Sequence, residues 1–129
     1  MSFGEVAAVD GSVVLGRIGE RIAADYLQLA GCAILERNFR FERVEIDLIV
    51  RDGACVAFVE VKMRRSTAYG GAREAVSPEK LRNLRKAARW YLCSAQSAPR
   101  ADEYRFDLVA LDIDRSRNIM VVRHLKGIV

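Results

Sequence analysis

The chain is poor in the side chains that bind zinc or form disulfides, with one histidine and three cysteines among its 129 residues. Cys32, Cys55 and Cys93 are odd in number, far apart and embedded in apolar runs. This pattern argues against a zinc site or a disulfide framework and predicts three reduced core residues. The sequence also lacks an apolar run long enough to span a bilayer and a signal-peptide layout, so we expect a cytoplasmic protein.

The composition is that of a globular domain, with 51% apolar and 29% charged residues. A chain of this length forms one domain and buries about two-thirds of its unfolded surface. Residues 1–12 show no hydrophobic period, whereas apolar periodicity begins directly after them. We therefore predict a flexible leader at 1–12 and a single domain at 13–129.

Hydrophobic periodicity predicts two helices and five strands. In chain order these are a helix at 12–30, strands at 32–39, 44–50 and 56–62, a helix that begins at 77–79, and strands at 104–112 and 119–125. Short connections make the first three strands antiparallel neighbours, and the second helix makes the connection from the third strand to the fourth parallel. The expected fold class is α/β, with a mixed five-stranded sheet flanked by helices.

The second and third strands are predicted to form a tight hairpin. The dipeptide Asp52-Gly53 separates them, and both residues tolerate the positive φ of a type I′ turn. The register that follows is Arg51 opposite Ala54, Asp47 opposite Phe58 and Glu45 opposite Glu60.

This register brings charged residues to one face of the hairpin, because side chains alternate along a strand. The charged face is predicted to carry Glu45, Asp47, Glu60 and Lys62. The other face is predicted to carry Ile46, Leu48, Val50, Val59 and Val61. Burial of carboxylates in so apolar a setting costs folding free energy unless a metal or another partner neutralises them. The alternative is a solvated face whose opposite charges pair weakly.

The first helix offers a further carboxylate. Glu20 has small neighbours at three- and four-residue spacing, among them Gly16 and Ala23. Small side chains permit a close approach to the sheet, which would deliver Glu20 to the charged face. A surface glutamate beside a neighbouring arginine is the alternative.

Positive charge is concentrated between Lys62 and Trp90. Nine basic residues and two acids give this segment +7, which leaves −3 for the remainder of a chain of net charge +4. The segment comprises a loop predicted at 63–76 and the second helix. Cations of this kind bind phosphates, and an aromatic ring can stack on a base. The candidate nucleic-acid contacts are Arg64, Arg65, Tyr69, Arg73, Lys80, Arg82, Arg85, Lys86 and Arg89. A solvated helix face is the ordinary alternative.

The charged residues Glu20, Asp47, Glu60 and Lys62 occur in motifs that resemble the YraN family of predicted bacterial endonucleases. The resemblance runs from about residue 16 to residue 111, and its motifs are Gly16-x-x-Gly19-Glu20, Leu35-Glu36-Arg37-Asn38-Phe39-Arg40, Glu45-Ile46-Asp47-Leu48-Ile49, Phe58-Val59-Glu60-Val61-Lys62 and Arg105-Phe106-Asp107. The family is similar in fold to the restriction-endonuclease-like superfamily, and closest in pattern to archaeal Holliday-junction resolvases. The resemblance implies a restriction-endonuclease-like core with catalytic places for Glu20, Asp47, Glu60 and Lys62.

Two positions depart from the family pattern. Val44 stands where the family commonly has glycine, and Met63 stands where threonine or serine is common. Neither change removes a ligand, but Val44 should stiffen its strand and so bears on substrate choice.

The mechanism we expect is hydrolysis of phosphodiester bonds in DNA with Mg²⁺ or Mn²⁺. Asp47, Glu60 and the Val61 carbonyl would bind the cation, and Glu20 would complete its coordination directly or through water. Lys62 would orient the nucleophilic water or stabilise the pentavalent phosphate. The only histidine, His124, is expected to be structural.

Partners and alternatives follow from the same reasoning. Cutting a branched DNA generally requires two active sites, so a homodimer is expected. One alternative is a non-catalytic nucleic-acid-binding or scaffold protein of the same fold, which binds without turnover. Another is a protein-interaction domain, for which binding would not show the steep salt dependence of phosphate contacts.

Overall fold

A computed structural model describes residues 11–65, 76–94 and 99–128 of the chain. The elements in these residues are α1 (Gly11–Leu29), β1 (Ala33–Phe41), β2 (Val44–Asp52), β3 (Cys55–Arg65), α2 (Pro78–Ser94), β4 (Glu103–Asp114) and β5 (Ile119–Leu125). Residues 1–10 of the predicted leader, together with Tyr69 and Arg73, lie outside the described residues.

The five strands form one sheet in the order β1-β2-β3-β4-β5. Neighbouring strands are antiparallel except for β3 and β4, which run parallel on either side of the α2 connection. The predicted α/β fold with a mixed five-stranded sheet and flanking helices is therefore confirmed.

The predicted hairpin register is wrong. The observed pairs begin with Asp52 opposite Cys55, so Gly53 and Ala54 form the turn. Gly53 has a φ of 61°, while Ala54 is not among the residues with positive φ. This is the type II′ arrangement, in which glycine takes the first central position. Extending the observed register sets Asp47, not Glu45, at the level of Glu60.

The two helices pack on opposite faces of the sheet. Ala23, Ala24 and Leu27 of α1 pack with a cluster that includes Leu48, Val50, Ala57 and Val59. Leu84, Ala87, Ala88 and Tyr91 of α2 pack with Ile46, Ile49, Val56 and Phe58. The prediction that Ile46 shares a face with Leu48 is wrong, because the two lie in opposite clusters. Strict alternation is thus interrupted at Asp47, between them.

Two further expectations are corrected. The predicted loop at 63–76 begins too early, because Met63, Arg64 and Arg65 continue β3 in parallel pairing with β4. Cys32 and Cys55 are buried as predicted, whereas Cys93 is exposed on α2.

Helix α2 begins where the sequence predicts. The Ser77 hydroxyl accepts a hydrogen bond from the Lys80 amide at 3.1 Å, and Pro78 occupies the first helical position. This side-chain cap satisfies one of the free amides of the first turn. No helix in the described part of the chain is long and apolar enough to cross a membrane.

A fully buried carboxylate, Asp107, ties β4 to its surroundings. Its oxygens accept hydrogen bonds from Arg105 at 2.7 and 2.8 Å and from the Gly127 amide at 3.0 Å, and they lie 2.7 Å from Nε2 of His124. Arg105 also binds Asp52 at 2.9 Å. Burial alone would raise the pKa of Asp107, but the hydrogen bonds from His124 and Arg105 lower it to about 2.

Close approach of α1 to the sheet depends on Gly19. A Cβ atom at this buried position would lie 3.3 Å from Leu111 Cδ1 and 3.4 Å from Met63 Sδ. A Cβ at Gly16 would meet nothing within 4 Å. Of the two glycines in the first motif, it is therefore Gly19 that lets the helix bring the adjacent Glu20 to the sheet.

We expect Gly19→Leu to destabilise the protein by about 1–3 kcal/mol, because the side chain overpacks the contact with β3 and β4. Gly16→Leu should be neutral or stabilising by up to about 1 kcal/mol, because it only removes the helix penalty of glycine. Urea unfolding of both variants measures the difference. Equal stabilities would show that α1 does not need the close contact at Gly19.

Candidate metal centre

The acidic cluster lies where β2 and β3 separate. The pairing between these strands runs from Asp52 opposite Cys55 to Leu48 opposite Val59. At the next position a side chain replaces the main-chain pairing: Oδ2 of Asp47 accepts a hydrogen bond from the Val61 amide at 2.8 Å. A carboxylate thus occupies the gap between two strands, where groups from either face of the sheet can meet.

Three carboxylates converge on the α1 side of this gap. Glu20 from α1 and Glu45 and Asp47 from β2 each offer an oxygen, and these oxygens lie within 4.8 Å of one another. All three residues are half-buried. The sequence placed Glu45 on the charged face, but the predicted ligands followed the family resemblance, which did not include Glu45.

Asn38 of β1 holds two of these carboxylates in place. Its Nδ2 donates to Glu20 Oε1 at 2.7 Å and to Glu45 Oε1 at 2.8 Å. Its φ of 52° is in the left-handed region, which asparagine tolerates better than most residues. Asn38 lies within one of the sequence motifs, but the sequence alone assigns it no role, because its contacts are to residues 18 and 7 positions away.

Glu60 approaches the gap from the α2 side of the sheet. Only 5% of the residue is exposed, and its Oε1 lies 3.6 Å from Nζ of Lys80. Its Oε2 is buried without a hydrogen-bond partner among the described residues. Lys80, which is predicted to contact nucleic acid, forms an ion pair with Glu60 in this structure. A long flexible side chain in the first turn of α2 makes that contact, which periodicity cannot reveal.

Burial raises the pKa of two carboxyl groups at this site, Asp47 and Glu60. Burial, and then the charge of Glu60, raise the pKa of Asp47 to about 7. Burial also raises the pKa of Glu60, although Lys80 and Lys62 oppose this shift. The negative charge of the cluster is therefore only partly compensated by protein groups, which is typical of functional sites.

The residues present suit a divalent cation. Hard cations such as Mg²⁺ and Mn²⁺ prefer carboxylate oxygens, and the cluster supplies four carboxyl groups from α1, β2 and β3. An added positive charge would give the unpartnered Oε2 of Glu60 a partner, and it would lower the raised pKa of Asp47. A cation at this place would satisfy groups that the protein itself leaves unsatisfied.

The predicted basic contacts fall into two groups. Arg64 donates to the buried Asp112 at 3.0 Å and thereby supports β4, while Arg65 is exposed at the end of β3. Lys62, which is predicted to be catalytic, is half-buried, and its charge acts on Glu60. The helix residues Arg82, Arg85, Lys86 and Arg89 are all exposed and form a stripe along α2.

Comparison with known proteins identifies close relatives over most of the chain. A family model described as "Uncharacterised protein family UPF0102" matches residues 19–111. A UPF0102 protein of Mycolicibacterium vanbaalenii is 41% identical over 114 residues, which cover 88% of this chain and 92% of the relative. A UPF0102 protein of Syntrophus aciditrophicus is 46% identical over 100 residues, which cover 76% of each chain. A UPF0102 protein of Syntrophomonas wolfei is 45% identical over 105 residues, which cover 81% of this chain and 89% of the relative. The matched segment contains every carboxylate of the cluster.

We expect the cation-free protein to lose stability as the pH rises from about 4 to about 7, because the folded-state pKa of Asp47 lies above its ordinary value of 3.8. The stabilising contribution of the protonated Asp47 carboxyl is fully present below the ordinary pKa of 3.8. It is lost as the pH rises through the folded-state pKa of about 7. The fall should be about 1–3 kcal/mol. Urea unfolding in a chelator across this range measures it.

The variant Asp47→Asn should remove much of this fall, because it has no carboxyl to ionise and can still accept the bond from Val61. Asp25→Asn changes an exposed carboxylate on α1 and should keep the wild-type profile. A wild-type profile in Asp47→Asn would mean that burial does not hinder ionisation of Asp47.

A second expectation concerns the asparagine bridge. Asn38→Asp replaces two N–H donors with another negative charge, so it should destabilise the cation-free protein by about 2–4 kcal/mol. A divalent cation should restore much of that loss. Asn118→Asp is the matched control, because Asn118 has a φ of 55° in an exposed turn. Chelator and Mn²⁺ titrations followed by thermal unfolding compare the two. Equal losses would assign the effect to the backbone conformation alone.

Proposed function

The chain belongs to the UPF0102 family, the YraN family that its motifs resemble, and we propose that it is a metal-dependent endonuclease that hydrolyses phosphodiester bonds of DNA. Branched or recombination intermediates are the substrates that the resemblance suggests. The observation that supports the proposal is the convergence of Glu20, Glu45 and Asp47 where β2 and β3 separate. The charge of Glu60 acts on Asp47, that of Lys62 acts on Glu60, and a helix with an exposed basic stripe lies beside them. A cytoplasmic location and a homodimer belong to the same proposal.

Asp47, Glu60, Glu20 and the Val61 carbonyl are the groups we assign to Mg²⁺ or Mn²⁺, and Glu45 joins them on the basis of its position. When bound, the cation would polarise the phosphodiester and acidify water. Asn38 keeps Glu20 and Glu45 oriented, because both of its N–H groups are engaged by them. The Val61 amide does the same for Asp47.

Lys62 is the group we assign to the reacting phosphate. In the hydrolysis, the oxygen of water forms a bond to phosphorus and loses a proton, while one ester P–O bond breaks and its leaving oxygen takes up a proton. Negative charge accumulates on the phosphate oxygens as this happens. A lysine beside Glu60 can stabilise that charge or orient the water. Lys80, 3.6 Å from Glu60, supplies a second positive charge at the same place.

The basic stripe of α2 supports nucleic acid as the substrate. Its four exposed cations, Arg82, Arg85, Lys86 and Arg89, lie on the helix that starts with Lys80 at the acidic cluster. Phosphate contacts of this kind position a nucleic acid independently of its sequence. A nucleic acid bound along α2 would therefore reach the candidate metal centre.

We expect the protein to cleave labelled DNA in the presence of Mg²⁺ or Mn²⁺, and Asp47→Asn and Glu60→Gln to lower the rate by about a hundredfold or more, because each removes a ligand charge. Single-stranded, duplex, flapped and four-way-junction DNA would be compared. Glu79→Gln, which neutralises an exposed acid in the first turn of α2, is the control and should retain activity.

Two results would contradict the proposal. Cleavage that survives both ligand substitutions would place the active site elsewhere or indicate a contaminant. Salt-dependent binding without cleavage of any substrate would favour the non-catalytic nucleic-acid-binding protein instead.

A further inference from the structure

An aromatic pair made of an exposed tryptophan and a half-buried phenylalanine lies at the far end of α2 from the acidic cluster. Trp90 is 51% exposed, although it is a large apolar residue. Its ring stacks on Phe41 of β1 with a centroid distance of 4.9 Å and an angle of 7° between the planes. Phe41 thus holds the indole flat, and the exposed part of the indole is presented to solvent.

Cations surround this pair. Trp90 and Phe41 line an open groove of about 340 Å³ together with Lys86, Arg89 and Cys93. The residues 86, 89, 90 and 93 recur at three- and four-residue spacing and so share one face of the helix. A second groove of about 370 Å³ adjoins it across Arg89, and its wall includes Tyr104, which is 46% exposed.

We propose that this surface binds single-stranded nucleic acid by stacking an unpaired base on Trp90, while Lys86 and Arg89 bind the flanking phosphates. The inference rests on the proposed function in one respect, the use of nucleic acid as substrate, and it adds the class: a substrate with an unpaired segment. Stacking on aromatic rings between cations is how proteins bind single strands without reading their sequence. Bases inside an intact duplex do not expose such faces.

Charge favours a polyanion over a second copy of the chain on this surface. Helix α2 carries five lysines and arginines, and its one acid, Glu79, lies in the first turn, away from Trp90. A twofold contact through Trp90 would place the same cations of two copies against each other. A phosphate backbone neutralises them instead.

The spacing along α2 links this surface to the candidate metal centre. Lys80 and Trp90 are ten residues apart, which corresponds to about 15 Å along a helix. Stacked nucleotides are about 3.4 Å apart along one strand. A base stacked on Trp90 would therefore lie about four or five nucleotides from the phosphate at the acidic cluster.

The chain provides its own reporter, because Trp90 is its only tryptophan. We expect its fluorescence to be quenched by a thymidine oligonucleotide in the presence of a chelator, and not by a blunt duplex at equal phosphate concentration. Binding of the labelled oligonucleotide, followed by anisotropy, should weaken about 5- to 150-fold in Trp90→Ala. Trp90→Phe should retain most of the affinity, since it keeps a ring.

The control is Tyr26→Ala, which removes an exposed aromatic ring from α1 on the opposite side of the sheet and should leave the affinity unchanged. Absence of quenching together with unchanged affinity in Trp90→Ala would overturn the proposal. So would quenching by added protein without DNA, with sedimentation showing a dimer that Trp90→Ala dissociates, because a second copy would then occupy the surface.

Failure of this inference differs from failure of the nuclease proposal. Asp47→Asn should be quenched by the oligonucleotide as the wild type is, because the stacking surface does not involve the acidic cluster. Quenching in a protein that cuts nothing would support the stacking surface and refute the nuclease. Metal-dependent cleavage without quenching would refute the stacking surface and leave the nuclease standing.

Discussion

The hydrogen bond from the Val61 amide to the Asp47 carboxylate is the interaction around which the candidate metal centre is organised. It replaces a main-chain contact at the point where β2 and β3 separate, and it therefore keeps a charged group in a place that a regular sheet would fill with backbone. Glu20, Glu45 and Glu60 approach this charge from three elements. Their repulsion is only partly offset by protein groups, which makes the cluster a candidate site for a cation.

The two acidic centres of the protein illustrate how environment sets the protonation of a buried carboxyl group. Asp107 is fully buried, but Arg105, His124 and a backbone amide satisfy its oxygens, and its pKa is lowered to about 2. For Asp47, burial and then the charge of Glu60 raise the pKa to about 7. The first arrangement stabilises the fold, whereas the second leaves charge for a ligand to neutralise. Helix α2 then connects this charge, through Lys80, to an exposed basic surface.

Sequence reasoning succeeded where the physical signal is local. The limits of β5 and the serine cap of α2 follow from alternation and capping chemistry, and both were predicted correctly. It failed where two turn positions are both possible locally, or where the end of a strand depends on pairing with a strand that is distant in the chain. The hairpin turn could begin at Asp52 or Gly53, and glycine alone at the first central position suffices for the type II′ turn. The end of β3 depends on pairing with β4, about fifty residues away in the chain.

By itself, the sequence determined the fold class, the family and the carboxylates that come together, because hydrophobic period and short motifs are properties of neighbouring residues. The tertiary structure alone decided how they come together: Asn38 bridges Glu20 and Glu45, Lys80 reaches Glu60, and Trp90 stacks on Phe41 instead of entering the core. Each of these contacts joins side chains from different elements. Their geometry depends on where β2 and β3 separate and on how closely α1 and α2 pack, which local periodicity does not encode.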